Sequence, residues 1–366
     1  MIATPSNIFL RYLFRWIGEA RGKRLLSWYV GRKTTVAQVE MPLHLESATK
    51  VLCILPENAL EALHQYRTII SLASAYPACS WEILGGAEIT DYFSSVRGVS
   101  RCPSWDGRAR QLFTPQFAQV VHQIHASGYN LCLLLDSNPS LCSLYMTQAS
   151  GAPIRIGFRN AAEFPFVNIA ANPSAGRIYR TDRNLYLLEV LGVPVAKGIR
   201  FSVGKPTLNE VGLLVKEQIS TVSQPMIGID ISWFYDVCGE GWTQSCITAA
   251  RNIPGHVVFG IASRPMSERM RLWCKNNQLP VCEGLSASRL AGLVVSCAVM
   301  MCGTSALYEL THLLHAAGIG LFETHDEPLY FKPASHVRAV SYCGRPNGET
   351  IDGIMHASGD LFGRAV

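Results

Sequence analysis

A five-residue turn, Cys302-Gly303-Thr304-Ser305-Ala306, joins the apolar run Ala298–Met301 to a helix whose pattern starts near Ala306. A turn in that position offers unpaired backbone N–H groups and the positive end of a helix dipole beyond the sheet. Such a terminus attracts anions, diphosphates especially. Glu309, one turn into the helix, is expected to face the same opening and to accept hydrogen bonds from a ribose. An ordinary strand–turn–helix of an α/β protein has the same spacing, so the pattern alone leaves both readings open.

The elements that must position this turn alternate in type. Lys50–Leu55 reads as a buried strand closed by Pro56. A helix over 59–75 follows, stopped by Tyr76-Pro77, and then the strand Trp81–Leu84. A polar stretch over 96–110 precedes a helix (115–127), the strand Leu131–Asp136, a helix (141–149) and Ile154–Gly157. The rhythm pauses over Gly192–Pro206 and restarts with Met226–Asp230, a helix over 243–252 and the strand 256–259. Helix 266–277 and strand Val281-Cys282 lead to the turn described above. Alternation of this kind implies parallel sheets with helices on both faces. The expected fold class is therefore α/β, with two Rossmann-like domains facing across a cleft, over residues 49–205 and 206–366. Ligands of such sheets bind beyond the carboxyl ends of strands. The candidate loops are Pro56–Glu61, Asp136–Ser140, Asp230–Trp242, Ala262–Pro265 and Cys302–Ala306.

Composition narrows the function classes. A chain of 366 residues with 48% hydrophobic and 16% charged residues can fill two cores. A net charge of +5, without zinc-finger, RNP or Arg-rich patterns, argues against a nucleic-acid partner. Twelve cysteines are scattered singly and none forms a C-x-x-C pair, which supports neither a zinc site nor a redox motif and fits a reducing cytoplasm. No uninterrupted apolar run reaches the length of a membrane span.

Residues 1–48 form a basic amphipathic extension and linker. Over residues 1–33, seven Lys or Arg stand against one acid, Glu19, and Phe, Leu and Trp interleave with them over residues 8–33. Such a helix can lie in the headgroup layer of an anionic membrane. It can equally pack on the protein's own core or on another subunit of an oligomer. The first core strand starts at Lys50, so removing residues 1–33 is expected to leave the two-domain fold intact.

The segment Leu290–Asp326 resembles, without a gap, the carboxy-terminal signature of glycosyltransferase family 9, the ADP-heptose:lipopolysaccharide heptosyltransferases. Tyr129–Asp136, Leu141–Gly151, Pro153–Phe158 (with Arg155, Gly157 and Phe158) and Asn184–Gly192 follow further stretches of that family in order. The resemblance implies the two-Rossmann GT-B architecture and a metal-independent inverting transferase, without a cofactor beyond its sugar-nucleotide substrate. The absence of an Asp-x-Asp motif agrees. It further implies a lipid-linked or cell-envelope glycan acceptor. The scattered thiols and the basic amino terminus give the expected place, cytoplasmic and peripheral on the inner face of the cytoplasmic membrane.

With Tyr76-Pro77 on the family's Tyr-Pro, Glu61 falls on the family's Asp, a base toward the acceptor hydroxyl. Asp136 and Asn138 fall on the acceptor side. Gly303, Thr304, Ser305, Ala306 and Glu309 fall on the donor side, Glu309 in place of a His. Trp242 matches the Trp of the family's Lys-x-Trp-Pro, but Glu240 stands where the phosphate-binding Lys belongs, and Arg264 is the candidate substitute. A Gly-Thr-Ser followed by Glu also resembles GT-B transferases that hold the ribose of a UDP-sugar. Three departures, at Glu61, Glu240 and Thr304, leave two readings: a transferase with a changed donor, or a protein that kept the fold as a binding or assembly module.

Overall fold

The structure is a computed structural model and describes residues 19–33, 48–101, 114–158, 166–171, 179–218 and 224–362. The chain divides into two compact units, residues 1–177 with Thr181–Lys197, and residues 178–180 with Gly198–Val366.

The first unit carries six strands, β1 (Lys50–Ile54), β2 (Ser80–Leu84), β3 (Val99–Arg101), β4 (Leu131–Leu134), β5 (Ile154–Phe158) and β6 (Ile169–Ala171), in the order β3-β2-β1-β4-β5-β6. The second carries β7 (Met226–Asp230), β8 (Val257–Ile261), β9 (Val281–Cys282), β10 (Val299–Cys302), β11 (Gly318–Glu323) and β12 (Val337–Tyr342), in the order β12-β11-β10-β7-β8-β9. Every pairing in both sheets is parallel. Counted within its own unit, each sheet runs 3-2-1-4-5-6, the doubly wound order with a switch point between its first and fourth strands. Those strands are β1 and β4 in one unit, β7 and β10 in the other.

The reason lies in the strand sequences. Leu131-Cys-Leu-Leu134, Met226–Asp230 and Val299–Cys302 are buried at every position, as strands covered on both faces must be. Leu52, Ile54, Phe117, Ile124 and Leu134 fill the core of the first unit. Ile227, Ile229, Phe234, Ile247, Met301 and Leu321 fill that of the second.

Two expectations change. The helix expected over 59–75 is two helices, Ala59–His64 and Tyr66–Ala75, divided at Gln65. Gln65 is buried, and its side-chain amide donates to the Leu135 carbonyl at 2.9 Å, tying this point to the end of β4. The amino-terminal extension is also not independent of the fold. Helix Glu19–Lys33 places Leu26, 3% exposed, inside the core cluster of the first unit. Gly22, one turn earlier, is buried with it, while Arg21, Arg24, Leu25 and Trp28 are exposed. The core thus starts before Lys50, with helix Glu19–Lys33 contributing Leu26 to it. Residues 8–18 of the basic segment lie outside the described residues. No described helix is long and apolar enough to cross a membrane.

Candidate functional site

At the switch point of the second unit, β7 ends in Asp230. Its side chain is fully buried, and Oδ1 accepts hydrogen bonds from the Trp233 N–H at 3.3 Å and the Ser263 hydroxyl at 3.1 Å. Oδ2 makes no hydrogen bond among the described residues. Burial pushes the Asp230 carboxyl upward; the Ser305 hydroxyl close by, the Trp233 N–H, Ser263 and Arg264 act in the other direction.

β10 ends at Cys302, and Gly303, Thr304 and Ser305 carry the chain into helix Ala306–Leu314. Gly303 is required here by space, because a Cβ on it would overlap the indole of Trp233. Ser305 occupies the N-cap position but its side chain caps nothing. Asn58, Thr114, Ser140, Ser267 and Ser286 each cap their helix through the side chain. Within helix Ala306–Leu314, the Tyr308 and Glu309 N–H groups bond to the Ser305 carbonyl. The N–H groups ahead of them have no intrahelical acceptor and keep the positive end of the dipole.

The remaining donor-side residues are arranged around this turn as follows. Thr304 is partly exposed and Ala306 is buried. Glu309 is 1% exposed, in a helix buried along nearly its whole length, so it does not present an open face as expected. The apolar residues Leu307, Leu310 and Leu313 explain this, since a helix apolar on most sides is a core helix. Trp242 stacks on Phe234 with ring centroids 5.7 Å apart and packs against the core. Arg264 donates to the Ser232 carbonyl at 3.0 Å and forms an ion pair with Asp236. Glu240 accepts from the Tyr235 hydroxyl at 2.7 Å and from Arg269 at 2.7 Å; together they hold its carboxyl below the usual range. Arg264 and Arg269 therefore each already serve a carboxylate.

At the switch point of the first unit, Asn58 accepts from the Leu60 and Glu61 N–H groups and starts helix Ala59–His64. Glu61 sits in its first turn. Asp136, buried just after β4, accepts the Asn138 N–H at 2.8 Å in an Asx turn. Burial raises the Asp136 carboxyl, the charges of Glu61 and Glu57 add to the rise, and the Asn138 N–H and Lys23 oppose it. Glu61, Asp136 and Asn138 are thus gathered at the ends of β1 and β4, with Glu57 and Lys23 beside them. A shallow recess lined by Pro56, Glu57, Gly85, Gly86, Ser143 and Met146 adjoins this group. Arg155 is structural: its guanidinium ties the Phe166 and Ala152 carbonyls at 2.7 Å each.

Sequence reasoning missed Asp230, Glu57 and Lys23 as individual residues. A signal existed for Asp230, since it ends an apolar strand as Asp136 follows one. Nothing in the sequence pairs Lys23 with a loop more than a hundred positions away. Among the described residues, no group of three His, Cys, Asp or Glu is placed to hold a metal ion.

No family profile and no curated protein sequence matches the chain. Solved structures do. A glycosyl transferase family 9 protein from Veillonella parvula aligns with a TM-score of 0.69 at 12% identity, over 88% of this chain and 99% of that one. ADP-heptose lipopolysaccharide heptosyltransferase II of E. coli aligns with a TM-score of 0.62 at 13% identity, over 87% and 100%. An E. coli heptosyltransferase solved with ADP-2-deoxy-2-fluoro heptose aligns at 0.59 and 11%, over 87% and 100%.

The fold is GT-B. At these identities the likeness concerns the backbone, and the GT-B sheets of this chain carry a different set of polar groups, with Glu240, Thr304 and Glu309 at positions where the resemblance implies Lys, Asp and His.

Proposed function

We propose that this protein is a glycosyltransferase that takes a nucleotide-diphosphate sugar and transfers the sugar to a lipid-linked or cell-envelope glycan. The observation that carries this reading is the helix Ala306–Leu314, whose N-cap Ser305 leaves the terminus uncapped at a doubly wound switch point. Its free N–H groups would hold the diphosphate, and no cofactor beyond the sugar nucleotide is invoked. On the acceptor side, Glu61 would take the proton from the attacking hydroxyl, with Asp136 and Asn138 beside it. Attack on the face opposite the leaving diphosphate would invert the anomeric centre. ADP-heptose and UDP-sugars are the donor classes favoured by the resemblance.

The exposed Arg21, Arg24, Leu25 and Trp28 of helix Glu19–Lys33 support a peripheral association with anionic membrane from the cytoplasmic side. A thermal-shift panel of ADP, UDP, GDP and their sugars tests the reading, because ligands that bind the native state raise the melting temperature. A shift followed by transfer to a glycolipid is the expected result; no shift with any nucleotide at millimolar concentration rejects it.

A second reading, a non-catalytic binding or assembly protein, is favoured by the pairing of Arg264 with Asp236 and Arg269 with Glu240. Neither guanidinium is left to neutralise a departing diphosphate. Nucleotide binding without turnover on any donor separates this reading from the first.

A further inference from the structure

Resting on the nucleotide reading of the second unit, Asp230 calls for a role of its own. It stands where β7 and β10 part: the register Ile227 to Val299 and Ile229 to Met301 sets it beside Cys302, the residue before the Gly303 turn. Its side chain is fully buried, yet among the described residues only Oδ1 has hydrogen-bond partners, with the Ser305 hydroxyl close by and itself unbonded. An oxygen so deeply buried and unbonded is costly unless a ligand meets it. The groups around it come from each neighbouring element. Ser263 and Arg264 follow β8, Trp233 follows β7, Cys302 ends β10, and Ser305 belongs to the turn beyond. Arg264 is the cation of this set and is engaged by Asp236; Cys302 is a thiol held neutral by burial.

We infer that Asp230 is carried as the neutral carboxylic acid and donates its Oδ2–H to a ligand phosphate oxygen beside the N-terminus of helix Ala306–Leu314. The chemistry suits a site short of cations. A neutral O–H recognises an anionic oxygen, with a short charge-assisted hydrogen bond, and adds no charge of its own. The ligand class is a nucleoside diphosphate, and the specificity belongs to its phosphates. Burial favours the same protonation state, because it penalises the carboxylate.

Calorimetric titration of the full-length protein with adenosine, uridine, ADP and UDP tests this. In the wild type the diphosphates should bind at least tenfold more tightly than the nucleosides. That gain should shrink as the pH is raised from neutral and Asp230 ionises. Asp230→Asn keeps an acceptor for Trp233 and Ser263 and puts an N–H at the Oδ2 position; it should keep the gain and lose its pH dependence. Asp230→Ala should lose most of the gain with nucleoside affinity unchanged. A gain that is flat or grows with pH in the wild type, or an Asn variant that loses it as Ala does, overturns the inference. Should the Ala variant prove unfolded by circular dichroism, the wild-type and Asn pH series decide. Nucleosides that bind with no diphosphate gain overturn this inference alone, whereas no binding by any of the four compounds overturns the nucleotide reading and this inference with it.

Discussion

The indole of Trp233 covers the α-carbon of Gly303, so that the loop after β7 rests on the turn after β10. Trp233 is itself packed edge-on against Phe234 at 5.4 Å, which stacks on Trp242. The turn that would meet a phosphate is therefore held from behind by an aromatic row. Gly303→Ala should destabilise the protein by about 1–3 kcal/mol, the range for overpacking a filled core. Chemical denaturation followed by tryptophan fluorescence measures this. Combining it with Trp233→Leu should cost less than the two single changes summed, since the overlap is between these residues. Strict additivity would show that they do not press on one another.

Glu61 supplies the prediction on turnover. With a donor and acceptor identified, Glu61→Gln should reduce kcat by about two to four orders of magnitude, the usual worth of a general base. Donor affinity should stay nearly constant, as expected when help is lost only in the transition state. Unchanged kcat would remove Glu61 from the mechanism and turn attention to Asp136, the neighbouring carboxyl.

The pH dependence of stability has a sign fixed by burial. The carboxyls of Asp230 and Asp136 are both raised above their ordinary values in the folded protein. The native state therefore holds these protons more tightly than the unfolded chain. The stabilisation they provide is complete below the unfolded-state value and is lost as the pH rises through the folded one. Asp230→Asn should remove its share of this decline and leave that of Asp136. Urea midpoints compared across a pH series for wild type and variant check this; parallel curves would show that Asp230 does not titrate on unfolding.

Leu26 tests the docking of the amino-terminal helix. Leu26→Ala should cost about 2–5 kcal/mol, as for other leucines truncated in a core. Removing residues 1–33 should lower the melting temperature of the first unit for the same reason. A change at the exposed Trp28 should leave stability within about 0.5 kcal/mol and reduce binding to anionic liposomes. A Leu26→Ala protein as stable as the wild type would return the helix to the status of a free extension.

Much of this was legible in the chain. Val, Ile, Leu and Cys runs of strand length, separated by helices, dictated parallel sheets, and the loops at both switch points were among those expected to bind ligand. Asp136 was visible because its loop follows the carboxyl end of an apolar strand, where ligands of such sheets bind. The details that escaped depend on contacts distant in sequence. Glu240 reads as a repulsive substitution for a lysine until Arg269, on the next helix, is seen to pair with it. Glu309 has the spacing of an exposed first-turn acid, and only the packing of its helix makes it a buried one. The amphipathic pattern of residues 8–33 described a helix with a polar and an apolar side, but not which side meets the protein.

The way Leu26 is seated bears on how the molecule would meet a surface. A flexible leader works as a leash, restricting distance while the body tumbles freely. A helix keyed into the first sheet's core through Leu26 and Gly22 works as a rigid handle. Whatever grips Arg24 and Trp28 on its outer side also sets the heading of β1 and β4, and with them the direction in which Glu61 and Asp136 look. Attachment would then be an act of aiming as much as of holding.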